Sequence, residues 1–165
     1  MDKDTINKFN KISIFSDFIN DLNRLEMFYN AMKVEKYNTG QYIIKEGEIG
    51  DKLYILNTGK VEILRKTLNN EEYTVAILDS KDYIFFGEIA LIDSDRRSAS
   101  VKATTDCEVL SIDRESFIKL CENDSLMGYK IILQISKRIS GTLRKMNKDV
   151  ITLFEALVSE VEDGL

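Results

Sequence analysis

Hydrophobic and polar positions change their period twice along the chain. In residues 5–33 the apolar residues recur every three or four positions, and Ser16 stands where a helix N-cap is expected. The apolar residues on nearly one helical face are Phe15, Phe18, Leu22, Leu25, Phe28 and Met32. The first stretch is therefore predicted to be helical.

The middle of the chain, residues 34–113, consists of short β-rich runs. Turn-forming residues separate the runs at 38–40, 46–48, 57–59 and 68–70. The expected strands are 41–44, 53–56, 61–65, 73–78, 98–103 and 109–112. Short strands at such close spacing predict a β-sandwich or a barrel.

Residues after Arg114 return to helical spacing. An apolar residue recurs every three or four positions from Ile131 to Val161, which predicts a helix about 45 Å long at about 1.5 Å per residue. This helix would extend beyond a small domain and expose an apolar stripe to water. A parallel homodimer is the simplest way to bury that stripe. The alternative is a helix that breaks near Gly141 and folds back on its own domain.

Composition narrows the possible functions. With 165 residues, 44% hydrophobic and 31% charged, the chain suits one globular domain with an appended helical segment. The absence of histidine disfavours metal-dependent and histidine-triad enzymes, so no metal site is expected. A net charge of −5 argues against nucleic-acid binding by this chain alone. Cys107 and Cys121 are expected to be reduced thiols, and with no signal peptide or membrane-spanning run we expect a cytoplasmic protein.

One stretch, residues 86–101, carries candidate chemistry. Gly87 allows a close backbone approach, and the short apolar segment after it could form a helical turn that points N–H groups at an anion. Arg97 could pair with the same anion, while Glu88 could accept hydrogen bonds from a diol. These groups jointly suit a phosphate and a sugar hydroxyl. The alternative is a turn glycine beside a surface ion pair between Glu88 and Arg97.

The same stretch resembles the phosphate-binding cassette of cyclic-nucleotide-binding domains. Residues 44–59 resemble the glycine-punctuated hairpin near the start of that family's barrel, and the likeness continues through 107–113 into the long helix. The resemblance implies an α+β fold, in which a double-stranded β-helix (jelly-roll) barrel is flanked by N-terminal helices and a long C-terminal helix. The expected parts are an N-terminal helical segment, 1–33, a β-barrel nucleotide-binding core, 34–113, and C-terminal helices that include a long dimerisation helix, 114–165.

The resemblance also implies roles for individual residues. Glu88 would accept the ribose 2′-OH, and Arg97 would pair with the cyclic phosphate. Ser98 would add a hydroxyl or an amide near the phosphate and the base, and Thr142 is the candidate for the adenine amino group. The remaining members of the implied ligand-binding set are Phe86, Gly87, Ile89, Ala90, Ala99 and Arg138.

Three departures from the family's pattern limit how far these residue roles can be carried over to this chain. Lys81 stands where a turn glycine is common, in an approach to the cassette that is slightly long. Leu143 stands where a second hydroxyl follows the threonine in catabolite activator protein. Ser98 is compatible with cAMP or cGMP, so adenine is the preferred base and guanine stays open.

The function that the resemblance implies is a sensor and not an enzyme. It would bind cAMP, or cGMP, without any cofactor and couple this binding to movement of the C-terminal helix. No membrane contact is expected, and the downstream protein effector is unknown. Met1 and the acidic end favour a stand-alone sensor over the sensor fragment of a transcription regulator. A ligand-independent dimerisation module of the same fold is the main rival, and a cupin-like enzyme is disfavoured because it would need histidine.

Overall fold

Two antiparallel four-stranded sheets form the centre of the fold in the computed structural model, which describes residues 1–163. The strands are β1 Lys33–Tyr37, β2 Tyr42–Ile44, β3 Lys52–Thr58, β4 Lys60–Lys66, β5 Glu72–Asp79, β6 Phe85–Phe86, β7 Ser100–Ala103 and β8 Cys107–Asp113. One sheet has the order β1-β8-β3-β6 and the other β2-β7-β4-β5. The predicted α+β jelly roll is confirmed, although its two sheets do not close into one continuous barrel.

All six expected strands are present, and two further strands were missed. The predicted strand 98–103 begins only at Ser100, because residues 96–99 form the loop that leads into it. β1 was missed because none of its five residues is buried, and β6 because it has only two residues. Left-handed residues confirm the four predicted turns: Gly40, Gly47, Gly59 and Asn70.

The N-terminal stretch is divided into three helical pieces. They are α1 Lys3–Phe9, a 3₁₀ helix Ser13–Phe18 and α2 Leu22–Asn30. The predicted N-cap at Ser16 is wrong, since Ser16 lies inside the 3₁₀ helix. Asp21 caps α2 instead, where its Oδ1 accepts a hydrogen bond from the N–H of Arg24 at 3.2 Å.

β3 separates two hydrophobic cores. Because side chains alternate along a strand, Leu53 and Ile55 face one core while Tyr54 and Leu56 face the other. The first core is shared with the N-terminal helices, where the Phe9 and Phe15 rings stack at 4.9 Å. The second core lies between the sheets and positions the candidate site beside it.

Three helices complete the fold: α3 Glu88–Asp93, α4 Arg114–Asn123 and α5 Ser125–Asp163. α5 packs Met127, Ile131 and Ile135 into the first core, and its residues 142–161 are exposed. It runs unbroken through Gly141, so the alternative of a helix that breaks there is wrong. α5 therefore extends beyond the sheets, as the long apolar repeat predicts.

Candidate functional site

A cavity of about 720 Å³ lies where the β2-β7-β4-β5 sheet, α3 and α5 meet. Every residue of the predicted ligand-binding set lines it: Phe86, Gly87, Glu88, Ile89, Ala90, Arg97, Ser98, Ala99, Arg138 and Thr142. These residues come from a strand end, a short helix, a loop and a helix some 40 positions further on. The fold thus brings the predicted set together, while the role of each member stays a prediction.

Gly87 is the residue at which β6 turns into α3. Its φ of +81° is left-handed, and a Cβ there would lie 2.7 Å from the backbone oxygen of Lys52 and 2.9 Å from Nη1 of Arg97. No side chain caps α3, so Gly87 occupies the N-cap without covering the first N–H groups. Glycine is required here both for the backbone conformation and for the close approach of Lys52 and Arg97.

Arg97 is the most unusual charge in the site, because only 8% of it is exposed. Its Nη1 donates to the backbone oxygens of Lys52 at 3.0 Å and Gly87 at 3.2 Å. Within residues 1–163 no carboxylate lies within 4.0 Å of the guanidinium, and no acceptor bonds Nε or Nη2. Loss of water on burial lowers the pKa of Arg97, against the smaller opposite effects of Tyr54, Asp51 and Glu88.

The turn between β2 and β3 supports this arginine. The backbone N–H of Arg97 donates to the Glu48 oxygen at 2.8 Å, and the Gly47 N–H donates to the Arg97 oxygen at 2.9 Å. A Cβ at Gly50 would lie 2.1 Å from Nε of Arg97, so a larger residue there would displace the guanidinium from this position. The two sequence signatures, 44–59 and 86–101, therefore pack together and jointly position Arg97.

Glu88 pairs with α5 and not with Arg97. Its Oε1 lies 3.3 Å from Nε of Arg138, and the Arg138 guanidinium stacks on the Phe85 ring at 4.2 Å. The alternative of a surface ion pair between Glu88 and Arg97 is wrong, since Arg97 is buried and bonds to carbonyl groups. The Glu88–Arg138 pair connects the cassette helix to α5 across the cavity.

The approach to the cassette makes its turn without the usual glycine. Lys81 lies in a short 3₁₀ helix, Ser80–Asp82, and Tyr83 then adopts the left-handed conformation with φ of 54°. The Tyr83 hydroxyl accepts a hydrogen bond from Nζ of Lys11 at 3.0 Å, which helps to hold this less favourable backbone in place. The departure noted in the sequence therefore shifts the turn by two residues.

Several cavity residues were not predicted from the sequence. On β4 and β5 they are Ile63, Arg65, Val75, Ala76 and Leu78, and on α5 they are Gly141, Lys145, Met146 and Asp149. Helical spacing offered a signal for the α5 group, because Arg138, Thr142, Lys145 and Asp149 follow one another by three or four positions. No sequence signal indicated Arg65, because the direction of its side chain toward the cavity depends on the register of β4.

The cavity is much more basic than the chain as a whole. Its charged lining consists of five basic residues, Arg65, Arg96, Arg97, Arg138 and Lys145, and two acidic ones, Glu88 and Asp149. The whole chain has a net charge of −5. Such a local excess of positive charge attracts small anions. In residues 1–163 no three Cys, Asp or Glu side chains lie together as metal ligands would.

Comparison with known proteins identifies the family. The profile described as "Cyclic nucleotide-binding domain" matches residues 34–124, more than half of the chain. This chain belongs to the cyclic nucleotide-binding domain family.

Individual relatives agree with that assignment. The chain is 37% identical over 117 residues to "cGMP-dependent protein kinase egl-4" of Caenorhabditis briggsae, covering 70% of this chain and 15% of the kinase. It is 33% identical over 103 residues to "Cyclic AMP receptor protein" of Thermus thermophilus, covering 62% of this chain and 47% of that protein. Among solved structures, the regulatory domain of Toxoplasma gondii PKA with cAMP superimposes with a TM-score of 0.69 at 27% identity, over 82% of this chain and 48% of that one.

The chain spans less than half the length of these two curated relatives. No helix within the described residues combines the length and the apolar character needed to cross a bilayer.

Proposed function

We propose that the chain is a cyclic-nucleotide sensor that prefers cAMP and has no catalytic activity of its own. The observation that carries this proposal is the buried guanidinium of Arg97, which has no anionic partner among residues 1–163. A buried cation without a counter-charge is costly, and a bound phosphate would neutralise it through charge-assisted hydrogen bonds. A cyclic phosphate carries one negative charge, which matches one arginine.

The rest of the cavity suits the sugar and the base. We propose that Glu88 accepts the ribose 2′-OH and that backbone groups of Gly87, Ile89 and Ala90 contact the phosphate. Ser98 and Ala99 then lie beside the phosphate and the base, while Phe86 forms part of the apolar wall. The base would extend toward Thr142 on α5.

Coupling to α5 follows from a ligand that touches both sides of the cavity. Glu88 belongs to α3 and Arg138 to α5, and in this structure the two residues pair with each other. A nucleotide that engages Glu88 changes the free energy of this contact and so favours one placement of α5 over another. We propose this shift of α5 as the output that a downstream protein reads, in a cytoplasmic homodimer joined through the same helix.

The base preference rests on two side chains that favour different purines. The hydroxyl of Thr142 can accept a hydrogen bond from the adenine amino group. Arg65, which also lines the cavity, can donate to the N7 and O6 atoms that guanine presents as paired acceptors. cGMP is therefore the second candidate ligand. The names of the relatives divide in the same way, between a cGMP-dependent kinase and a cyclic AMP receptor.

Binding of the two nucleotides to Thr142→Ala and Arg65→Ala separates these candidates. If adenine is preferred, cAMP binds more tightly to the native chain and Thr142→Ala loses about tenfold of that affinity, the value of one hydrogen bond. Arg65→Ala then changes cAMP affinity by less than about threefold, since its loss removes no adenine contact. Tighter cGMP binding that Arg65→Ala abolishes would replace cAMP by cGMP in the proposal.

A thermal-shift series tests the sensor against its main rival, a ligand-independent dimerisation module. Saturating cAMP at about 100 times its dissociation constant should raise the Tm by about 5–10 °C, because ligand that binds only the folded state adds about 2.7 kcal/mol. 5′-AMP serves as the control, since it has the same base and an opened phosphate ester. No shift with cAMP or cGMP would favour the dimerisation module.

A further inference from the structure

Arg114, the first residue of α4, reaches across to the end of the cassette helix α3. Its Nη1 donates hydrogen bonds to the backbone oxygen of Ile92 at 2.7 Å and to Oγ of Ser94 at 2.6 Å. Ile92 lies in the last turn of α3, and Ser94 is the residue at which that helix ends. One guanidinium group therefore ties the C-terminal end of α3 to the N-terminal end of α4.

The position of Arg114 is unfavourable for α4 by itself. Asp113 caps this helix by accepting a hydrogen bond from the N–H of Ser116 at 2.8 Å, and the arginine follows directly after the cap. A positive charge in the first turn opposes the helix dipole, whereas the same charge at the C-terminal end of another helix is favourable. The arginine is therefore explained by its contact with α3 and not by the needs of α4.

α3 needs such a contact because it is short and ends in a strained conformation. It has six residues, Glu88–Asp93, which are too few to form a stable helix without tertiary support. Ser94 has a left-handed backbone with φ of 56°, which costs free energy in a residue other than glycine. Its N–H closes the helix by donating to the Ala90 oxygen at 3.0 Å. The two charge-assisted hydrogen bonds from Arg114 stabilise this ending.

α4 in turn lies directly against α5. A Cβ at Gly128 of α5 would lie 2.7 Å from Cβ of Cys121 of α4, so the two helices are in close contact there. Phe117 and Leu120 of α4 share the first core with Ile131 of α5. Because such a core is closely packed, a displacement of α4 changes the packing of α5.

We propose that Arg114 is a positioning residue for nucleotide binding, which holds α3 in its binding conformation and transmits the state of the cassette to α4 and α5. The inference rests on the proposed function and adds a second connection to it, since the Glu88–Arg138 pair acts at the other end of α3. Without Arg114 the binding conformation of α3 is less populated, and the apparent affinity falls by the same factor.

Hydrogen exchange in the nucleotide-free chain tests the positioning directly. Arg114→Ala should speed exchange of the Leu91 and Ser94 amides about tenfold, because the hydrogen bonds of these two amides close α3. Lys119→Ala is the matched control, because it removes a cation from the same helix, where Lys119 pairs with Glu115, and it should leave both amides unchanged. Equal exchange in the native chain and in Arg114→Ala would overturn the proposal, whether or not a nucleotide binds.

Nucleotide titration tests the consequence for binding. Whichever of cAMP and cGMP binds the native chain more tightly should bind Arg114→Ala about tenfold more weakly, and Arg114→Lys, which keeps the charge and a donor, should regain part of this loss. Ser94→Ala should add little further loss in the Arg114→Ala background, because the two residues share one contact. Additive losses, or native affinity in Arg114→Ala, would overturn the role in binding. A native chain that binds neither nucleotide would contradict the proposed function, and the exchange of α3 would still decide whether Arg114 holds that helix.

Exchange of the α4 amides, residues 114–123, with and without saturating nucleotide tests the transmission. In the native chain the nucleotide should change the exchange of these amides. In fully occupied Arg114→Ala the change should be about half as large or less, because one of the two connections from α3 is lost. A change of equal size in both proteins would overturn the transmission through Arg114.

Discussion

At the scale of single residues, two glycines of the cavity wall differ in whether a larger residue could replace them. Gly87 has a left-handed backbone, and the Lys52 backbone oxygen and Nη1 of Arg97 both lie within 3 Å of a prospective Cβ. Gly141 is helical and has nothing within 4 Å of a prospective Cβ. The first glycine is required by the fold, whereas the second lowers the stability of its helix.

Alanine at these two positions should therefore have opposite effects on stability. Gly87→Ala should lower the free energy of unfolding by about 2 kcal/mol or more, from the left-handed backbone and the contact with the Lys52 oxygen. Gly141→Ala should raise it by up to about 1 kcal/mol, because alanine is the better helix former. Urea denaturation followed by circular dichroism measures both changes. Equal effects at the two sites would contradict this account of Gly87.

The sequence predicted the cassette residues but not the cavity wall formed by β4 and β5. Glu88, Arg97 and Ser98 lie in one contiguous motif, so their order alone placed them together. Arg65 comes from a neighbouring strand of the sheet, and its position depends on pairing between β4 and β5, including the irregularity between Ile63 and Leu64. Strand register and side-chain direction are tertiary properties, and no local pattern encodes them.

At the scale of elements, Glu35 joins three strands of one sheet. It lies on β1 and accepts hydrogen bonds from Ser111 on β8 at 2.5 Å, from Lys52 on β3 at 2.9 Å and from Tyr37 at 2.7 Å. Burial alone would raise the pKa of Glu35, but the hydrogen bonds from Ser111, Tyr37 and Lys52 outweigh it and hold the pKa below its usual value. The ionised carboxylate therefore stabilises the folded sheet.

Glu35→Gln should destabilise the protein in a pH-dependent way. The folded-state pKa is lowered, so the stabilisation is present above the unfolded-state pKa and disappears as the pH falls through the folded-state pKa. Near neutral pH we expect a loss of about 1–2 kcal/mol. Unfolding free energies from pH 7 to about pH 3 test this, with the exposed Glu71→Gln as control. A difference that persists undiminished at the acid end would contradict the role of the charge.

Helical elements were predicted better at the C-terminus than at the N-terminus. α5 has a long apolar repeat that specifies one helix without ambiguity. The N-terminal apolar residues have the same spacing, yet Asn20 adopts a left-handed backbone and Asp21 caps a new helix. A single-residue change of backbone direction breaks a helix without breaking its apolar pattern, so periodicity alone could not locate it.

At the scale of the whole molecule, the charge of the cavity is opposite in sign to the net charge of the chain. An acidic chain surrounds a cavity with five basic side chains, and one of these, Arg97, is buried without a counter-charge in residues 1–163. Long-range repulsion of anions by the whole protein is then offset at the site itself. The cavity is thus suited to a small anion that fits inside it.

The most direct test of this account is isothermal titration of the purified chain with cAMP, alongside Arg97→Ala. Arg24→Ala is the matched control, since Arg24 pairs with Asp21 and Asp124 and lines no part of the cavity. We expect saturable binding of one cAMP per chain, unchanged in Arg24→Ala and weakened about 100-fold or more in Arg97→Ala, because a charge-assisted pair with phosphate is lost. Binding of equal strength in both variants, or no binding by the native chain, would contradict the claim that Arg97 is the phosphate-binding residue of a nucleotide sensor.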